Sequence, residues 1–405
     1  MIARRILLAD ADAFFVAVAR MVDPEGAGRA PLLIVGGTRE SRGVVCSASY
    51  EVRKYGVRSA MPISRALRLC PQAMCVPVPR RVCGEKSREI RAVLERYAPA
   101  VEGASVDEWY MDLGGTERLY GNEELAVTAK RMRDAVVAET KLSVSIGGGT
   151  TKLVAKLAVE RAKPKPGTNA TGVHIVAPGA EGTFLETFDL AEIPLIGPRF
   201  QERLAKLGMR TVPDVLQYDR ATLAQWLGAR EADWLFDRVR GIDHGEVESH
   251  GEAKSISRDE TFAVDIDTDD ELARELLALV TRAAADLRGD GLTARTITVR
   301  IRDFDFKTRQ ASRTIDAPVI SDRIILEVSH MLLARLRAAR HVPARLIGVS
   351  LSSLAADSTA DQLTLFERRD GTLAETDRDR TLARTIDRVR ARFGDKGILP
   401  ARLVD

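Results

Sequence analysis

A chain of 405 residues, 45% hydrophobic and 29% charged, is long enough for several domains with buried cores and too apolar to be disordered. Lys and Arg number 61 against 58 Asp and Glu, a formal net charge of +3, which excludes a uniformly basic nucleic-acid coat but not local basic faces. The four cysteines (Cys46, Cys70, Cys75, Cys83) are too few for a disulfide scaffold and lack the paired spacing of zinc ligands. They read as buried free thiols. No apolar run reaches the ~20 residues of a membrane helix, and no signal-peptide pattern follows Arg5. A cytoplasmic protein with no membrane partner is expected.

In chain order, Ile6–Ala9 is a short apolar run that reads as a buried strand stopping on Asp10. Leu32–Val35, closed by Gly36-Gly37, is a second strand. Ser87–Tyr97 carries Ile90, Val93 and Leu94 at helical spacing. Ser105–Asp112 reads as a strand containing an acidic pair, and Glu123–Glu139 as a helix. Leu142–Ile146 alternates and ends in Gly147-Gly148-Gly149, after which Thr150–Ala162 returns to helical spacing. The triple glycine before Lys152 lacks the spacing of a phosphate loop. Strands mixed with helices indicate an α+β or α/β first half.

Beyond Gly167 the character changes. Leu190–Arg240 is short, helical and punctuated by Gly197, Gly208 and Gly228; Gly241–Ala253 is a polar linker. Lys254–Leu354 is strand-rich, with helices around Asp270–Leu287 and Ser321–Ala339. The last fifty residues alternate in charge from Arg368 to Lys396 and read as a flexible tail or an exposed helix.

Two acidic clusters stand out: Asp10 and Asp12 end one strand, and Asp107-Glu108 lie in another. A lone Asp-x-Asp suits a turn. Two such clusters in apolar strands are different, because unpaired buried carboxylates are costly unless a cation neutralises them. Carboxylate oxygens with substrate phosphates suit Mg²⁺, and two such ions can clamp a phosphoryl transfer. The pattern points to nucleotidyl transfer.

Leu8-Ala9-Asp10-Ala11-Asp12-Ala13-Phe14-Phe15 and Ser105-Val106-Asp107-Glu108-Trp109-Tyr110-Met111-Asp112 closely resemble the catalytic signature of Y-family DNA polymerases, of the bacterial DNA polymerase IV type. The resemblance implies an α+β, right-hand-like polymerase: an α/β palm (1–12 and 80–170), small fingers (13–79) and a helical thumb with a helix-hairpin-helix (171–245). A linker (246–253), a separate α/β little finger (254–354) and a tail (355–405) follow. It further implies that Asp10, Asp107 and Glu108, with the carbonyl of Ala11, hold two Mg²⁺ ions, with Mn²⁺ able to substitute. Asp12 belongs to the motif but is not a principal ligand. Ser47, Tyr50 and Arg53, set on one face if the segment is helical, would grip the incoming dNTP with Lys163. Phe14 and Phe15 are assigned to the nucleotide site, Phe15 as the ring that excludes a 2′-hydroxyl and Phe14 packing in the core behind it.

Primer-template DNA is the expected partner. Ile193-Pro194-Leu195-Ile196-Gly197 resembles a helix-hairpin-helix whose glycine turn offers N–H groups to phosphate, which places Ile196 and Gly197 on DNA. Lys152 is expected near the primer. Thr296–Arg302 alternates strictly, so Arg300 and Arg302, continued by Lys307, Arg309 and Arg313, would form a phosphate-tracking face. Gln362-Leu363-Thr364-Leu365-Phe366 resembles a sliding-clamp docking peptide, with Gln362, Leu363, Leu365 and Phe366 as anchors. A monomer is expected. Ala19, Cys83 and Trp109 depart from the family pattern, and none is a ligand. Two competing readings are a polymerase-like accessory factor recruited through the clamp and a two-metal nucleotidyl cyclase. The first would lack acidic ligands, and the second would not need the DNA-holding half.

Overall fold

The computed structural model describes residues 4–39, 42–164, 170–249, 251, 253–357, 374–394 and 397–404. Residues 362–366, the expected clamp peptide, lie outside the described residues. The chain forms two compact units, 1–251 and 252–405.

In the first unit the strands are β1 (Ile6–Ala11), β2 (Leu33–Gly36), β3 (Val45–Ala48), β4 (Met74–Pro77), β5 (Ala100–Gly103), β6 (Glu108–Asp112), β7 (Val144–Gly149) and β8 (Val173–Ile175). They make a five-stranded sheet in the order β5-β6-β1-β7-β8 and a three-stranded sheet in the order β3-β2-β4. β1 lies at the centre of the larger sheet, antiparallel to both neighbours, and all six of its residues are buried. The two-residue period of a strand divides it cleanly. Ile6 and Leu8 pack on Ala155 and Val159 of the helix Lys152–Ala162, whereas Leu7, Ala9 and Ala11 face the helices Arg80–Glu95 and Leu125–Thr140. A sheet covered on both faces explains why β1 reads as an unbroken apolar run.

β7 runs through the glycine triplet instead of ending at Ile146. A Cβ on Gly147 would stand 2.1 Å from the Val159 nitrogen and 2.5 Å from the Ala155 carbonyl oxygen. The glycine is therefore required for the helix 152–162 to close against the sheet.

The smaller sheet packs over the short helices Tyr50–Arg53 and Ile63–Leu69. Residues 181–238 form short helices around a core that includes Leu204, Val212, Leu223 and Leu235. The segment 241–249 has no regular structure but is strapped along the larger sheet, not free. Asp243 accepts from the Leu153 N–H at 3.0 Å, the Glu248 N–H donates to Glu102 at 2.9 Å, and Arg4 donates to the Gly245 carbonyl at 3.0 Å. All four cysteines are free, yet only Cys70 and Cys83 are buried; Cys46 is exposed on β3.

The second unit is an antiparallel sheet of β9 (Ser255–Ile266), β10 (Leu292–Asp303), β11 (Thr308–Val319) and β12 (Ala344–Ala356), ordered β11-β10-β12-β9. Ile297, Val299 and Ile301 turn inward onto the helices Asp269–Gly289 and Asp322–Ala339, leaving Thr298, Arg300 and Arg302 on the open face. The tail is not featureless. Thr376 caps a helix, Asp377–Phe393, whose Asp387 takes a bidentate pair from the buried Arg288. Glu375 accepts the N–H groups of Ile320 and Ser321 at the start of the helix 322–339. Among the described residues no helix is long and apolar enough to cross a membrane.

Candidate active site

Strand parity assembles the acidic residues. Asp10 is one register step beyond Leu8 on the same face of β1, and it pairs directly with Glu108, the first residue of β6. The expected strand 105–112 is shorter than its apolar pattern suggests. Residues 104–107 form the turn joining β5 to β6, closed by the Ala104 N–H donating to the Glu108 carbonyl at 2.9 Å. Asp107 thus sits in the turn, its carbonyl accepting from the Ala11 N–H at 2.9 Å and its carboxylate from the Ser105 hydroxyl. The Asp10 and Glu108 side chains face each other where β1 ends and β6 begins, beside the Ala11 backbone, with Asp107 in the adjoining turn.

The helix 152–162 underlies this face and brings two lysines to it. Lys163 Nζ donates to Asp10 Oδ2 at 2.8 Å and to Glu160 at 2.6 Å, and Lys156 donates to Glu108 Oε1. Burial pushes the Asp10 carboxyl up to about 7, against the opposing pull of Lys163. Burial alone would depress the Lys163 ammonium; Asp10 and Glu160 more than reverse this and keep it charged. An all-oxygen donor set of three carboxylates and one carbonyl fits a hard divalent cation. Among the described residues no three His, Cys, Asp or Glu side chains are gathered into a preformed cation site, and Asp10 and Glu108 are each engaged by a lysine.

The nucleotide-site candidates are partly rearranged. Ser47, expected on a helical face with Tyr50 and Arg53, is buried in β3, because the helix begins only at Tyr50 and spans four residues. Tyr50 and Arg53 do stay together: the guanidinium lies 4.9 Å from the ring centroid and its Nε donates to the Ala48 carbonyl at 2.9 Å. Burial, then the Asp12 carboxylate, raises the Tyr50 phenol, so it is a hydroxyl donor at neutral pH. A cleft of about 280 Å³ lined by Asp12, Ala13, Ser49, Tyr50, Ser143 and Pro164 opens beside it. Phe14 is 2% exposed in the core, which matches its packing role and removes its side chain from the nucleotide site. Phe15 is half-buried, 5.6 Å from the Phe14 ring.

Several expected DNA contacts are spoken for. Lys152 donates to both Glu102 oxygens, at 2.7 and 2.8 Å, and to the Glu246 carbonyl at 3.2 Å, so its ammonium is saturated internally. Ile196 is a core residue, 3% exposed. The hairpin's left-handed residue is the exposed Leu195 (φ 72°), not Gly197, which is the N-cap of the helix Pro198–Lys206. Arg309 forks onto the fully buried Asp303, which Arg340 also holds, so it stabilises the second unit. Arg300, Arg302 and Lys307 are held only at the surface, near Asp259 at 3.8 Å, on the Thr308 hydroxyl at 2.9 Å and near Asp305 at 3.5 Å respectively.

Trp109, one residue from Glu108, points to the opposite face. It is 1% exposed, flanked across the strands by Ala9 and Gly103, whose small size makes the room it needs. It does not crowd the acidic cluster. Lys156, Ser143 and Ser145 escape a reading of the sequence for site residues; the seven-residue spacing of Lys156 and Lys163 on one helical face is the available signal for the first.

The same chain regions match known proteins. The impB/mucB/samB family description covers residues 9–160, and its C-terminal domain covers residues 253–365. DNA polymerase IV of Dehalococcoides mccartyi strain CBDB1 is 36% identical over 349 residues, 86% of this chain and 87% of the relative. DNA polymerase IV of Desulfatibacillum aliphaticivorans is 35% identical over 401 residues, covering 98% of this chain and 96% of its own. Among solved structures, the Y-family DNA polymerase chimera Dbh-Dpo4(243-245)-Dbh aligns with a TM-score of 0.76 at 26% identity, covering 87% of this chain and 99% of that one. The insertion ternary complex of Dbh DNA polymerase aligns at 0.61 and 26%, over 86% and 98%. The family matches span residues of both units, including the stretch that carries Asp10, Asp107 and Glu108, and the curated relatives cover most of the chain, so the chain belongs to the Y-family of DNA polymerases, in the DNA polymerase IV group.

Proposed function

We propose that the chain is a template-directed DNA polymerase of the translesion kind, adding dNMPs to a primer 3′-hydroxyl at the end of β1. In this reading the five-stranded sheet is the palm, the three-stranded sheet the fingers, the helices 181–238 the thumb and the second unit the little finger. The direct pairing of Asp10 with Glu108, with Asp107 in the adjoining turn, carries the proposal.

Asp10, Asp107, Glu108 and the Ala11 carbonyl would hold two Mg²⁺ ions. When bound, these supply charge neutralisation at the α-phosphate and lower the pKa of the attacking hydroxyl. Tyr50 and Arg53 would donate to the β- and γ-phosphates, the protonated phenol as a neutral donor and the guanidinium as a fork. Lys163, fully charged beside Asp10, is within reach of the same cleft and would complete that grip. Phe15 would lie under the sugar and reject a 2′-hydroxyl by volume. Arg300, Arg302 and Lys307 would track the DNA backbone, as would the N–H groups following Gly197, without reading sequence. Docking to a sliding clamp through 362–366, a monomeric state and a cytoplasmic location belong to the same reading and rest on the sequence.

Primer extension with Mg²⁺ and dNTPs tests it. The intact protein should extend an annealed primer, and Asp107→Ala should not. Failure of the intact protein to extend any primer would instead favour a polymerase-like accessory factor.

A further inference from the structure

Asp12 is the second acid of Asp10-Ala11-Asp12, and the proposed chemistry leaves it without a task. Its carboxylate spans two hydroxyls, one immediately before the neighbouring strand β7 and one within it. Ser143 Oγ donates to Oδ2 at 2.6 Å and Ser145 Oγ to Oδ1 at 2.8 Å. The Asp12 N–H donates to the Ser143 carbonyl at 2.9 Å. Ser145 is fully buried, so its hydroxyl depends on this partner, and a carboxylate with both oxygens engaged is poorly placed to be a ligand.

The next residue shows why such a tie is needed. Ala13 adopts a left-handed conformation (φ 46°, ψ 45°), which is strained for a residue with a Cβ. No side chain caps the helix Phe14–Val22 that begins immediately after it. The strained turn therefore has the Asp12 bonds as its side-chain support. It joins the metal-ligand candidates Asp10 and Ala11 on one side to Phe15 on the other, four residues from Ala11. A turn free to relax toward an ordinary conformation would re-aim the start of the helix, and the Phe15 ring with it.

We infer that Asp12, latched by Ser143 and Ser145, is a positioning residue that fixes the Phe15 ring relative to Asp10 and so sets discrimination between deoxyribose and ribose. The inference rests on the reading of Phe15 as the sugar gate. A turn that served stability alone would lower the melting temperature without changing sugar choice.

The test is the ratio of kcat/KM for a dNTP to that for the matching rNTP, measured on the full chain. Phe15→Ala should collapse the ratio. Ser143→Ala/Ser145→Ala should lower it about tenfold or more while dNTP efficiency falls less than about threefold, since small misplacements near a reacting centre are costly. Asp12→Ala should match the double variant. Asp12→Asn keeps the shape, its amide oxygen accepting from Ser145 and its amide N–H donating to the exposed Ser143 hydroxyl, and should leave the ratio near native. Ser143 is exposed, so Ser143→Ala alone, expected to lower the ratio about threefold, serves if the double variant does not fold. A native ratio in the serine variants alongside a collapsed one in Phe15→Ala overturns the latch. A parallel fall for dNTP and rNTP overturns it too. An unchanged ratio in Phe15→Ala overturns the gate reading, and the latch's role in sugar choice with it.

Discussion

Lys163 Nζ lies 2.8 Å from Asp10 Oδ2, so a buried carboxylate at the end of a buried strand is answered by an ammonium from the helix beneath. The pairing is incomplete compensation. Burial still lifts the Asp10 carboxyl from its ordinary 3.8 to about 7, so the folded chain binds that proton more tightly than the unfolded one. The stability linked to it is fully present below pH 4 and is lost as pH rises through 7. Asp10→Asn cannot titrate. The unfolding free energy of the variant minus that of the native protein should therefore climb between pH 4 and pH 8, by on the order of 2–4 kcal/mol. Denaturant melts across that range without divalent ions check it, and a flat difference would contradict the environment described.

Lys156 and a divalent cation would use the same Glu108 oxygen, so the two compete. Lys156→Met should bind Mn²⁺ about fivefold more tightly than the native protein, as titration calorimetry would report, because a resident positive charge is removed. Lys156→Arg should remain close to native. Weaker binding in the Met variant would mean that Lys156 organises the carboxylates instead of competing for them.

What is legible in the sequence follows from periodicity. β1, buried on both faces, shows as an unbroken apolar run, the helix 152–162 and β10 each bury one repeating set of positions, and the acidic motifs fall at strand ends where the pattern stops. Ser47 departs from its expected place because three polar residues at helical spacing look alike whether the first is on a helix or on the strand before it. Arg309 and Lys152 turn away from DNA because a cation's partner, Asp303 or Glu102, is set by tertiary packing across strands and is invisible to spacing. Alternating charge in the tail similarly hides that Glu375, Asp379 and Asp387 all turn inward to Arg380, Arg323 and Arg288.

Arginines on the second sheet should separate by assay. Arg300→Gln and Arg302→Gln, on the open face, should leave stability unchanged and lower the slope of log affinity for DNA against log salt by about 1 each. Arg309→Gln strips a partner from a fully buried carboxylate and should cost about 3 kcal/mol or more in urea unfolding. A salt-slope change from Arg309 at native stability would return it to the DNA.

Arg288 joins three segments of the second unit: its guanidinium meets Asp387 of the tail helix, Asp322 at 3.0 Å and the Ile320 carbonyl at 2.6 Å. Its side chain is only 4% exposed. Arg288→Met would leave two carboxylates facing one another and should destabilise the unit by about 3 kcal/mol. Amide exchange in 377–393 should accelerate more than exchange in β10. Equal protection in both would show that the helix is held by other contacts.

Gly147 is the position at which sheet and site are most tightly coupled. A methyl group there would meet three backbone atoms, the Val159 nitrogen at 2.1 Å, the Ala155 oxygen at 2.5 Å and the Ala158 carbonyl carbon at 2.6 Å, so Gly147→Ala can be accommodated only by moving the helix 152–162 away from β7. That movement carries Lys156 and Lys163 off Glu108 and Asp10. Overpacking of this kind costs roughly 1–3 kcal/mol or more, so a melting temperature lower by several degrees is expected together with weakened primer extension. Gly182, in the helix Glu181–Leu185 with open space around its Cβ position, is the matched control. Gly182→Ala should be neutral or stabilising by about 0.5–1 kcal/mol, because alanine is the better helix former. Equal behaviour of the two variants would show that the close approach at Gly147 relaxes without moving the helix.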